Sequence, residues 1–190
     1  MGEPAVNLAQ KYTYKDYKTW PEDERWELIR GEAFALAAPS TAHQDWAGEI
    51  FFQLKTQLWG KPCKPYIAPI DLMPYLAPSD DFDTADTIIQ PDVLVICQAE
   101  QNRGSALVGA PALVVEVLSP STGYRDQTEK LKIYEETGVA EYLVLNPATL
   151  HVWLYRLAGE RFSKPEVWVD PAVVELAGLP GVRIDFTVKP

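Results

Sequence analysis

Cysteine and histidine are both scarce in this 190-residue chain, with two of each. Cys63 and Cys97 have neither the numbers of a disulfide framework nor the paired spacing of a zinc site, so reduced thiols in a cytoplasm are expected. Two histidines leave little material for a Ser-His or Cys-His catalytic arrangement. There is no glycine-rich phosphate loop and no nucleophile elbow. The longest apolar runs are strand-sized, which excludes a membrane-spanning helix, and no basic and apolar leader argues for secretion. No Gly/Ser-rich or Pro-rich linker interrupts the chain, so residues 1–190 are expected to form one domain. A basic surplus is also missing. Seventeen Lys and Arg against 27 Asp and Glu leave a net charge of −10, the opposite of the field with which nucleic-acid binders usually neutralise phosphates. Part of that excess is local: Asp80, Asp81, Asp83 and Asp86 crowd into "PSDDFDTADT", which reads as a solvated loop.

What is present is ordinary for a globular fold: 47% hydrophobic, 11% aromatic and 23% charged residues. "YTYKDYKTW" (12–20) predicts a short helix capped by Thr13, and "RWELIRGEAFAL" (25–36) a hairpin turning at Arg30-Gly31. Trp46, Ile50, Leu54 and Leu58 recur at helical spacing over 40–60, with Gly60 as a stop. The Pro-interrupted stretch 65–76 suits an edge strand. "QPDVLVIC" (90–97) and "ALVVEVLS" (112–119) read as buried strands. A helix capped by Asp126 follows, running past Leu131 and Tyr134 to Gly138, and "EYLVLN" (141–146) reads as the next strand. Strand, helix and strand make a βαβ unit, "HVWLYRL" (151–157) a hairpin partner beyond it, and the tail further short strands. The fold class is therefore α/β with a mixed sheet.

Glu116 interrupts the apolar run "ALVVEVLS". Removing a lone carboxylate from water costs several kcal/mol, so something must offset it. Asp92 stands at the mouth of the other buried strand. If the two strands are antiparallel neighbours, both carboxylates reach one corner of the sheet, where a divalent cation between them would neutralise both. Hydrolysis at such a site also needs a basic group to stabilise charge on the attacked phosphate. Lys130, about one turn into the helix after Glu116, is the candidate. Lys132 lies about 200° further round and cannot face the same corner.

Pro91-Asp92, Glu116 in "EVLSPST" and "DQTEKLKIYEETGVAEYLVLNP" resemble the PD-(D/E)xK nuclease superfamily and, more narrowly, the bacterial Uma-two family of uncharacterised restriction-endonuclease-like proteins. "WELIRGE" and "PSTAHQ" extend the similarity, which runs from Tyr12 to about Leu157. The resemblance implies a restriction-endonuclease-like core: a central mixed sheet flanked by helices. It also implies Mg²⁺-dependent phosphodiester cleavage, Mn²⁺ being a possible substitute, with Asp92 and Glu116 as ligands, DNA as the expected nucleic acid and a homodimer as the expected assembly. In the general pattern the lysine stands two residues after the acid. That position is Leu118 here, so the amine must come from the helix as Lys130. Glu32 matches another acidic position of the family and His43 its "HQ" pair, both possible additions to the site. Two rival readings are a nuclease-fold module that binds DNA or protein without cleaving, and a structural domain in which Glu116 satisfies a local network.

Overall fold

A computed structural model of the chain describes residues 10–21, 23–119, 123–188 and 190. Thr13 precedes a one-turn helix, α1 (Tyr14–Tyr17), and the Asp16 carboxylate accepts its backbone N–H at 2.9 Å. Strands β1 (Trp26–Ile29) and β2 (Glu32–Ala35) form the expected hairpin. Its two turn residues, Arg30 and Gly31, both have positive φ (52° and 80°), the turn whose twist matches paired strands. Helix α2 (Thr41–Gln57) is capped by Ser40, whose hydroxyl accepts from the His43 N–H, and it buries Trp46, Ile50 and Leu54 along one stripe.

The central sheet is built from β3 (Lys64–Ile67), β5 (Val93–Ile96), β7 (Leu113–Val117), β8 (Glu141–Leu145), β9 (Val152–Ala158), β10 (Arg161–Phe162) and β11 (Glu166–Trp168). Its order is β10-β9-β8-β7-β5-β3, with β11 also paired to β9. β7 and β8 run parallel, joined by the helical crossover, and the other pairs are antiparallel. Mixed pairing of this kind is what the alternation of hairpins and one βαβ unit demands. β3 does lie at the edge but stops at Ile67; the chain beyond it leaves the sheet, and β4 (Leu72–Met73) pairs in parallel with β6 (Leu107–Val108). A last hairpin, β12 (Val173–Leu176) and β13 (Val182–Asp185), closes the fold.

Each face of the sheet has its own apolar layer. Val93, Val95, Val115 and Val117 pack with α2 and the β12–β13 hairpin, whereas Leu94, Val114, Tyr142 and Val144 pack with Ile133 and Tyr134 of the crossover. A third cluster, around Tyr12, Leu28, Met73 and Ile88, joins α1 to the β1–β2 hairpin. The Asp80–Asp86 stretch is a largely exposed loop around one 3₁₀ turn, Phe82–Thr84.

Two expectations need correction. Cys63 and Cys97 are disulfide-bonded rather than free. Lys64 pairs with Ile96 across β3 and β5, and the cysteines are the next residues out on each strand, so the sheet register sets them face to face with 3.9 Å between Cα atoms. The cysteine count therefore lends no support to a reducing compartment. Second, Asp126 does not cap the crossover helix. Helix α3 (Gly123–Arg125) has already begun, the chain widens into a π-helical turn at Asp126–Lys130, and α4 (Leu131–Thr137) completes it before Gly138 ends it in the left-handed region (φ 87°).

Candidate active site

Asp92 and Glu116 meet because of the register between β5 and β7. Val93, the first residue of β5, pairs with Val115, so Asp92 just before β5 and Glu116 lie at the same end of the strand pair; Glu116 turns towards Lys130 of the crossover, whereas Asp92 reaches His43 of α2. The Val117 N–H donates to Asp92 Oδ2 at 2.7 Å, and His43 Nε2 from the first turn of α2 lies 3.0 Å from the same oxygen. Burial lowers the affinity of His43 for a proton, but the Asp92 carboxylate outweighs it and holds the imidazolium above its ordinary range.

Lys130 comes from the π-helical turn and is almost fully buried, as is Glu116. Its Nζ lies 2.8 Å from Glu27 Oε1, 3.0 Å from Glu116 Oε1 and 3.3 Å from Asp126 Oδ1. The π-helical turn directs both Asp126 and Lys130 into the interior, where an Asp126 cap would have stayed at the surface. Burial disfavours the ammonium, yet three carboxylates around it keep Lys130 protonated well above the usual lysine range. Glu116 shows the converse. Burial drives its carboxyl well above the ordinary value, Lys130 opposes that, and Asp126, Asp92 and Glu27 push the same way as burial. The Tyr134 hydroxyl donates to Glu116 Oε1 at 3.1 Å and fixes its orientation.

Glu32 lies outside this cluster. It is exposed, pairs with Ile29 across the hairpin, and is ion-paired with Lys11 at 2.8 Å. The acid of this hairpin that does enter is Glu27 of β1, which is fully buried; its Oε1 accepts the Gln90 backbone N–H at 2.9 Å. Its signal in the sequence is the one that exposed Glu116, a carboxylate among Trp26, Leu28 and Ile29, masked because a four-residue strand beside a turn reads as half-exposed. Lys132 points to solvent and pairs with Glu136 at 3.7 Å, as its angular offset from Lys130 requires. A cleft of about 420 Å³ opens over the cluster, with Glu27, His43, Asp92, Glu116 and Lys130 in its wall.

Among the described residues no three His, Cys, Asp or Glu side chains form a self-sufficient metal cage. An ion that keeps several waters needs less. The donor set is all oxygen, as Mg²⁺ and Mn²⁺ prefer, and Glu27 Oε2 is a buried carboxylate oxygen with no hydrogen-bond partner, Arg125 being 3.8 Å away. The residues present fit a hydrated divalent cation.

Residues 14–188 match the model of the Uma2 family, described as "Putative restriction endonuclease". The chain belongs to the Uma2 family. It is 26% identical to the uncharacterised protein slr1290 of Synechocystis sp. over 148 residues, 76% of this chain and 74% of that one. Its fold is shared with the crystal structure of "a putative nuclease belonging to DUF820" from Anabaena variabilis, at a TM-score of 0.72, 16% identity, and coverage of 92% and 95% of the two chains. No helix among the described residues is long and apolar enough to cross a membrane.

Proposed function

We propose that this Uma2 protein is a divalent-metal-dependent endonuclease that hydrolyses phosphodiester bonds in nucleic acid, DNA foremost. The observation that carries the reading is that Asp92 and Glu116, at the same end of the β5–β7 pair, line one solvent-open cleft beside a buried lysine that touches Glu116. Asp92 and Glu116 are the residues to hold Mg²⁺, with the spare oxygen of Glu27 as a further acceptor directly or through water. A bound Mg²⁺ supplies Lewis acidity and a water made acidic enough to attack at neutral pH. The chain supplies the rest. His43 and the Val117 N–H fix the Asp92 carboxylate, and Tyr134 fixes Glu116. Lys130 steadies negative charge developing on the attacked phosphate. Glu27 and Asp126 anchor its ammonium, so it replaces from the helix the lysine that Leu118 cannot provide.

A thermal-shift titration with Mg²⁺ or Mn²⁺ tests the metal site, because a ligand bound only by the native state raises the midpoint as its concentration rises. The midpoint is expected to climb for the wild type and stay flat for Asp92→Asn and Glu116→Gln; an equal response in all three rejects the site. Cleavage of plasmid, single-stranded DNA and RNA then tests activity, with Lys130→Ala expected to bind metal but not cut. The net charge of −10 favours a second reading, a module that binds without cleaving, to be adopted if metal binds and no substrate is cut.

A further inference from the structure

A second cleft, of about 350 Å³, shares Arg25, Pro69 and Gln90 with the acidic one. Tyr17, Trp20 and Trp26 line it, with ring centroids 5.6 Å apart for the first pair and 5.4 Å for the second. Both tryptophans are half-buried. The wall between the clefts is held in place by hydrogen bonds. Arg25 donates from Nε at 3.0 Å and from one terminal nitrogen at 2.9 Å to Gln90 Oε1. The Gln90 amide donates to Asp71 Oδ1 at 3.0 Å and to the Tyr17 hydroxyl at 3.2 Å, which turns its oxygen towards Arg25.

The charges of the cleft sort its cations. Three basic side chains line the acidic cleft: Arg25, His43 and Lys130. His43 is held by Asp92, and Lys130 by Glu27, Glu116 and Asp126. Arg25 hydrogen-bonds to a neutral amide instead, with the Asp71 carboxylate beyond that amide near enough to feel its charge. A guanidinium anchored along one edge by an amide oxygen keeps further N–H groups for an oxyanion, and phosphate is an acceptor it suits well. An aromatic wall directly beside it has the dimensions and chemistry of a base platform, since every nucleobase offers a π-face.

We propose that this second cleft is a nucleotide subsite. Arg25 takes the phosphate next to the cut bond, and the Trp20–Trp26 wall stacks on that nucleotide's base. The proposal rests on the nuclease reading and adds a substrate class to it: a base can enter the cleft only when unstacked, so single-stranded segments are preferred over intact duplex. Gln90 is a positioning residue that acts through Arg25.

The test uses the full chain and single-stranded oligonucleotides in which one base flanking the cut is omitted. For the wild type, omitting the base on the subsite side is expected to raise KM about tenfold, the weight of one base–aromatic stack. Trp20→Ala should show that loss on the complete strand and become indifferent to the omission, and Trp20→Phe should recover most of it. Arg25→Met should raise KM on both strands with kcat little changed. If the wild type cuts, Asp92→Asn does not, and Trp20→Ala and Arg25→Met keep KM within about twofold, the subsite is rejected while the nuclease reading stands. If the wild type cuts nothing, the nuclease reading fails and anisotropy of a labelled oligothymidylate decides the cleft. Binding that survives in Asp92→Asn, is lost in Arg25→Met and Trp20→Ala, and returns in Trp20→Phe supports it; no binding, or binding indifferent to these changes, overturns it. Should Trp20→Ala fail to fold, Arg25→Met decides the question in either arm.

Discussion

Lys130 among the carboxylates of Glu27, Glu116 and Asp126, with Arg125 at the edge of Glu27, brings two positive charges to three acids, so the buried cluster is short of cations. Removing the lysine and removing one acid should therefore act in opposite directions. Lys130→Met strands buried carboxylates and is expected to cost roughly 3–5 kcal/mol, whereas Glu116→Gln relieves repulsion and should leave metal-free stability unchanged or higher. Urea denaturation of the two variants measures both, and a loss as large for Glu116→Gln as for Lys130→Met would show that the cluster depends on that ionised side chain. Glu116 also dictates a pH dependence. Unfolded, it ionises near the ordinary 4.5; folded, well above that. Between those values the native state holds the extra proton, so stability is greatest below the window and falls as pH rises through it. Asp71, raised chiefly by burial, has the same sign. Denaturation midpoints of metal-free protein from about pH 4 to about pH 8 should decline, and less steeply in Glu116→Gln; a rising curve contradicts the assignment.

At the scale of the elements, the edge pair β3–β5 is closed by Cys63–Cys97, two residues separated by 34 positions. Cross-linking a loop of that length lowers the entropy of the unfolded chain by an amount worth about 3–4 kcal/mol. Dithiothreitol, or the double change Cys63→Ser and Cys97→Ser, should lower the denaturation midpoint accordingly while leaving metal-induced stabilisation in place, because the acidic cluster lies at the opposite end of β5. An unchanged midpoint would show that the cysteines are not paired in solution. Other elements were legible from their sequence in proportion to their length. The α2 stripe, the Arg30-Gly31 turn and Gly138 follow from local periodicity and backbone preference. The π-helical turn does not. Asp126-Gln-Thr-Glu has capping-box spacing, whereas inside the fold its carboxylate meets Lys130, a contact no local pattern announces.

For the whole molecule the net charge of −10 predicts how it meets a polyanion. A protein that neutralises many phosphates loses affinity steeply with salt, by about one unit of log-log slope per contact. With Arg25 the cation of the cleft wall that hydrogen-bonds to no carboxylate, affinity for a single-stranded oligonucleotide should depend shallowly on monovalent salt, with a log-log slope of about −0.7; a slope of several units would point to a basic surface elsewhere on the fold. The sequence by itself determined the three central strands, the βαβ crossover, the mixed sheet and the oddity of Glu116, because apolar runs and turn residues act over a few neighbours and a buried carboxylate betrays itself within its own strand. Only the tertiary structure decided that Glu27 rather than Glu32 enters the site, that Asp126 faces inward, that Cys63 meets Cys97 and that Arg25 stands between two clefts. Each of those depends on which strand lies beside which and in what register, and that is fixed by burial of whole faces across residues far apart in the chain, not by any local pattern.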